Sequence, residues 1–115
     1  MKRLQLRDLR ASGTAHVAHA LCPENYIFKG GLSFHRRGFR THDGAEEKHP
    51  YHEVFVIMQG RGWIEIDGHR QPVSAGDVLL IEPGEDHHLV GDPEHPIINL
   101  WFDLGAEPHE AQRGP

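Results

Sequence analysis

The feature that most constrains this chain is the run of short apolar stretches between Glu53 and Phe102, each broken by a turn residue before it could complete a helix. Glu53-Val54-Phe55-Val56-Ile57-Met58 ends at Gly60, and Trp63-Ile64-Glu65-Ile66 ends at Asp67-Gly68. Gln71-Pro72-Val73 leads to a turn at Ala75-Gly76-Asp77, and Val78-Leu79-Leu80-Ile81 to a break at Glu82-Pro83-Gly84. His87-His88-Leu89-Val90 and Pro96-Ile97-Ile98-Asn99-Leu100-Trp101-Phe102 complete the series. Strands this short and this regularly spaced indicate an all-β sandwich or barrel. Asp67-Gly68 is the sharpest local signal, because the favoured two-residue hairpin turn needs positive φ at both central positions.

Upstream, Tyr26-Ile27-Phe28 and Leu32-Ser33-Phe34-His35 read as two further strands separated by Gly30-Gly31, and residues 38–48 read as a loop. A chain of 115 residues has room for one domain and one core. We therefore expect an N-terminal arm over residues 1–25 packing on the barrel, a barrel over residues 26–104, and a polar tail over residues 105–115. The single cysteine, Cys22, rules out an intrachain disulfide framework and fits a reducing cytoplasm. The opening residues carry charges where a signal peptide needs an apolar stretch, and no apolar run is long enough to cross a bilayer as a helix. A net charge of -5 is the wrong sign for gripping a phosphate backbone, so no direct nucleic-acid partner and no membrane partner are expected.

Eleven histidines are many for this length, and most must be ordinary surface residues. One group stands apart. On an extended strand alternate side chains face the same way, so Glu47, His49, Tyr51 and Glu53 would share a face, and two or three of them would reach one ion. Imidazole nitrogen with carboxylate oxygen suits Zn, Mn, Fe or Ni. His35, His42, His69, His88, His95 and His109 read as exposed polar residues. Phe55, Ile57, Trp63 and Phe102 read as barrel lining or core. Arg36, Arg37 and Arg40 would either grip an anion or protect a sheet edge.

From about His42 to Phe102 the chain resembles the cupin family. Glu47-x-His49-x-x-x-Glu53, with Gly60 after six further residues, is similar to that family's first motif. Gly76-Asp77 followed by Pro83-Gly84-x-x-His87 is similar to its second, with fifteen residues from Arg61 to Ala75 between the two glycines. The resemblance implies an antiparallel jelly-roll barrel in which Gly60, Gly68, Gly76 and Gly84 turn corners. It also implies one divalent metal ion on His49, Glu53 and His87, with Glu47 standing where the family has its first histidine. His42 and His52 are the alternatives for that fourth position; strict alternation turns His52 outward unless Pro50 introduces a bulge. The family's Asn beyond the second-motif histidine is replaced here by Gly91.

Within that family the run His49-Pro50-Tyr51-His52-Glu53-Val54-Phe55-Val56 is most similar to the effector-binding domains of AraC-type regulators. Only thirteen residues follow Phe102, too few for the two helices of a helix-turn-helix. The expected function is a sensor-like, metal-binding domain that takes a small-molecule ligand. The alternative is a small metal-dependent dioxygenase or isomerase using the same site, with Glu47 as ligand or general base. The resemblance also implies a homodimer.

Overall fold

The computed structural model describes residues 1–8, 26–35, 40, 41 and 44–105. Eight strands follow one another there: β1 (Lys2–Gln5), β2 (Tyr26–His35), β3 (His52–Gln59), β4 (Arg61–Ile66), β5 (His69–Ser74), β6 (Asp77–Ile81), β7 (His87–Gly91) and β8 (Ile97–Gly105). A three-residue 3-10 turn, Leu6–Asp8, is the one helical piece among the described residues, and no helix there is long and apolar enough to cross a membrane. Most of the expected arm (residues 9–25) and the tail from residue 106 onward lie outside the described residues; β1 pairs with β6.

All pairings are antiparallel, in a five-stranded sheet of order β1-β6-β3-β8-β2 and a three-stranded sheet of order β5-β4-β7. From β3 onward the chain crosses repeatedly between the sheets: β3 lies in the larger, β4 and β5 in the smaller, then β6, β7 and β8 alternate. This is the all-β architecture expected from the strand rhythm and the jelly roll implied by the family resemblance, built as two facing sheets rather than as one continuously paired ring. Strands that carry the two sequence motifs, β3 and β7, consequently sit in opposite sheets and face each other across the interior.

The interior is filled from both sides. Phe55, Ile57, Leu79, Ile81 and Ile97 project from the larger sheet, and Ile64, Ile66, Val73 and Leu89 from the smaller. Fully burying such a side chain contributes roughly 1.5–3 kcal/mol. The unbroken apolar run of β6 has a physical reason, since period-two alternation sends Leu79 and Ile81 inward while Val78 and Leu80 join Val54 and Leu104 in a second buried cluster on the sheet's other face. Pro72 has no N–H to give a ladder, and it sits on β5, an edge strand.

The hairpin between β4 and β5 turns on Asp67 and Gly68, with φ of 48° and 82°, as the Asp-Gly pair predicted. One expectation is corrected. Gly30-Gly31 does not separate two strands; β2 runs through it in register with β8. Gly30 serves close packing, since a Cβ there would lie 2.9 Å from the Trp101 carbonyl oxygen, whereas one on Gly31 would meet the Trp101 ring at an ordinary 3.4 Å.

Candidate metal centre

Glu47 and His49 lie on a strand-free segment just before β3, and main-chain hydrogen bonds hold that segment in place. Gly84 N–H donates to the His49 carbonyl at 2.9 Å, and His87 N–H to the Glu47 carbonyl at 3.1 Å. The N–H of Glu47 donates in turn to Asp86 Oδ1 at 2.7 Å, which keeps that carboxyl below its usual pKa range. Behind them, His88 places one ring nitrogen 2.6 Å from the Thr41 carbonyl oxygen and the other 2.9 Å from Asp86. His88 is thus a buried strut, 1% exposed, and not the surface residue expected from sequence; His35, 8% exposed, is likewise buried. Both were misread because a histidine with satisfied nitrogens is as acceptable inside as a hydrophobic residue.

These contacts bring four side chains together. Glu47, His49 and His87 each offer a donor atom within 4.8 Å of the others. His49 Nε2 lies 2.9 Å from Glu47 Oε1 and 3.8 Å from Glu53 Oε1, while His87 Nε2 lies 2.9 Å from Glu53 Oε1. Glu53 comes from β3 in the larger sheet and His87 from β7 in the smaller, so the fold's crossing pattern is what joins residues far apart in sequence. His87 and Glu53 form a buried floor, and His49 and Glu47 lie nearer the opening. His52 does not take part: alternation turns it to the opposite face of β3, in register with Leu104. His42 lies outside the described residues.

The orientation of His87 tests whether the cluster fits a cation. Its Nδ1 faces the Glu85 carbonyl oxygen at 3.0 Å, which assigns the proton to Nδ1 and turns the Nε2 lone pair toward the cluster. That Nε2 is buried and has no hydrogen-bond partner, although a Glu53 oxygen is 2.9 Å away. An imidazole lone pair facing a carboxylate calls for a positive charge between or upon them. A divalent ion of the Zn, Mn, Fe or Ni type satisfies the donor set of two imidazoles and two carboxylates. Without an ion a proton does so: burial works against charge on His87, but the Glu53 carboxylate outweighs it and the pKa of His87 lies above its ordinary value.

Two groups beside the cluster escaped sequence reasoning or were only partly anticipated. Asp103 pairs across strands with Glu53 and is 1% exposed. Burial and the adjoining Glu53 carboxylate push its pKa up to about 8, so it keeps its proton at neutral pH and donates it in a hydrogen bond to Glu53. Burial also opposes charge on Glu53, yet His87 and this hydrogen bond hold it below its normal range. Tyr51, expected on this face, stacks on His49 with ring centroids 4.9 Å apart and its hydroxyl 3.3 Å from His49 Nδ1. Burial and the nearby Asp103 raise its pKa to about 12, so the phenol stays protonated. The polar residues Asn99 and Asp103 on β8, at alternate positions with Trp101, form an inward-facing row.

The cluster opens into a cavity of ≈ 300 Å³ whose walls include Phe55, Leu89 and Trp101. Of the sequence-level arginine candidates, Arg40 is engaged with Glu65 at 3.0 Å and the other two fall outside the described residues.

Comparison with known proteins gives one family match: the AraC-like ligand binding domain, over residues 29–108. Among solved structures the chain is similar to a cupin protein from Bacteroides fragilis, at 26% identity and a TM-score of 0.61, covering 67% of this chain and 64% of that one, just under two thirds of its length. It is also similar to a Cupin 2 conserved barrel domain protein from Salinispora arenicola, at 25% identity and a TM-score of 0.61, covering 73% and 69%. A cupin-like protein from Thermotoga maritima shares the fold at 21% identity and a TM-score of 0.58, covering 77% and 63%.

Proposed function

The chain belongs to the AraC-like ligand-binding domain family, and from that premise we propose that it captures a small molecule between its sheets, anchored on one divalent cation held by Glu47, His49, Glu53 and His87. The observation that carries this reading is His87 Nε2, buried and without a hydrogen-bond partner beside a carboxylate oxygen. When bound, the cation supplies a Lewis-acidic centre for an oxygen of the ligand. The protein's own residues do the rest. The Glu85 carbonyl fixes the ring of His87, and the proton on Asp103 keeps Glu53 ionised by donating to it. Phe55 and Leu89 give the cavity an apolar wall, which strengthens every polar contact made inside.

The direct test is metal stoichiometry. After chelator treatment, calorimetric titration with Zn or Mn should give about one equivalent for the wild type and none for His87→Ala. Stoichiometric binding by His87→Ala removes that residue from the set, and no binding by the wild type overturns the metal reading. A homodimer and a cytoplasmic location belong to the same reading. They are supported by the exposed Ile27, Leu32 and Phe34 on β2, an end strand of its sheet, and by the single cysteine; sedimentation equilibrium checks the dimer.

One observation favours an enzymatic use of the same site. Asp103 is a buried carboxyl that lines the cavity and pairs across strands with Glu53, the place a general acid for a ligand held at the cluster would occupy. Turnover of a small acid by the metal-loaded protein, lost in Asp103→Asn, would favour that reading over simple binding.

A further inference from the structure

Strand register sorts the cavity into levels. Lys29, Asp103 and Glu53 lie side by side at the level of the His/Glu cluster. Next along the sheet come Gly31, Trp101 and Phe55, and beyond them Ser33, Asn99 and Ile57. The first level is charged and the second is apolar. The third is polar again, because Ser33 Oγ lies 2.8 Å from His35 Nε2 and Asn99 stands between Ser33 and Ile57.

Asn99 is the informative residue at this far end. It is 1% exposed and lines the cavity, and its Oδ1 is buried with no hydrogen-bond partner. A buried amide oxygen left unpaired is costly, and such groups are rare in folded proteins unless something outside the chain satisfies them. Asn99 lies four residue steps of extended strand from Asp103, about 13 Å along β8. Between them the Trp101 ring lies beside Gly31, 3.4 Å from where a Cβ on that residue would stand.

We propose that Asn99, with Ser33 and His35 beside it, forms a second recognition point for an uncharged hydrogen-bond donor at the far end of the ligand. The ligand class is a small organic acid with three parts: an oxygen head for the cation, a flat apolar middle against Trp101 and Phe55, and a distal hydroxyl or amide N–H for Asn99. This rests on the cation-anchored reading above for the position of the head, whereas the distal contact stands on Asn99 itself.

The test uses three acids that differ only at the far end: 3-(4-hydroxyphenyl)propanoate, 3-phenylpropanoate and 3-(4-methoxyphenyl)propanoate. The metal content of each protein sample is measured first, and binding is followed by calorimetry with and without added Zn. The hydroxyl acid should bind about tenfold more tightly than the other two, because only it carries a donor. In Asn99→Leu that preference should fall to about twofold or less, and circular dichroism shows whether the variant is folded. The comparison of acids on the wild type needs no variant, so a folding failure of Asn99→Leu leaves the proposal decidable. Equal binding of the three acids, as when an ordered water satisfies Asn99, overturns it, and so does failure of all three to bind at millimolar concentration. A preference that survives without metal supports the distal point while counting against the cation anchor; one equivalent of metal with no preference does the reverse.

Discussion

Replacing Asp103 by Asn should make the protein's stability much less dependent on pH, and the direction follows from where one proton sits. Asp103 is 1% exposed and its pKa is raised from 3.8 to about 8, first by burial and then by Glu53. Between those two values the folded chain keeps a proton that the unfolded chain has released, so stability falls as pH rises through the window. The ceiling is about 1.4 kcal/mol per pH unit, or about 4 kcal/mol between about pH 5 and pH 8. Glu53 adds no slope there, because a carboxyl with a lowered pKa loses its stabilisation only below the window. His87, with its raised pKa, is present in both proteins and cancels in the comparison.

Asn preserves the shape and can still donate to Glu53, but carries no titrating proton. In chelator-containing buffer the two proteins should therefore melt close together near pH 5 and diverge as pH rises. By about pH 8, Asp103→Asn should be ahead by about 2–4 kcal/mol, on the order of 10 °C in Tm for a domain of this size. Thermal melts followed by circular dichroism across the window measure this. A stability difference that stays constant with pH, or that moves in favour of the wild type, refutes the placement of the proton.

Other outcomes follow from the same structure. Gly60→Ala should cost on the order of 3 kcal/mol in urea unfolding, because φ is +83° and the new Cβ would lie 2.0 Å from the Pro96 carbonyl oxygen. Gly68→Ala has a similar φ of +82° but open space around it, so it should cost only about 1 kcal/mol. Ile64→Ala, at a fully buried position between the sheets, should cost about 2–5 kcal/mol by the same measurement. Adding Zn or Mn at about 100 times its Kd should stabilise the wild type by about 2.7 kcal/mol, reversibly by chelator, and leave His87→Ala unmoved in thermal melts.

Strand positions from β3 to β8 were legible because short apolar runs end at turn residues and tight corners favour glycine; Asp67-Gly68 is the plainest case. Gly30-Gly31 misled because glycine also marks close packing, and only the approach of the β8 backbone at Trp101, some seventy residues away, distinguishes the two uses. Alternation placed Glu53 and Tyr51 on one face and His52 on the other. Within the cluster, His87 was reached through family resemblance rather than spacing, since nothing local ties it to Glu53. Asp103 and Asn99 were missed for a related reason. Their significance lies in partners contributed by other strands, and a lone polar residue in an apolar strand carries no such information.

The segment bearing Glu47 and His49 is fastened to the β6–β7 corner largely by peptide groups: the His49 and Glu47 carbonyls each take an N–H from that corner. Peptide groups are the same whatever residue carries them. The side chain at position 47 is therefore free to change in kind, from carboxylate to imidazole or to an inert group, without disturbing how the loop is tethered. With a cation bound as proposed, a scaffold arranged in this way would let ion preference drift through single substitutions, a physical route by which one barrel plan acquires many chemistries.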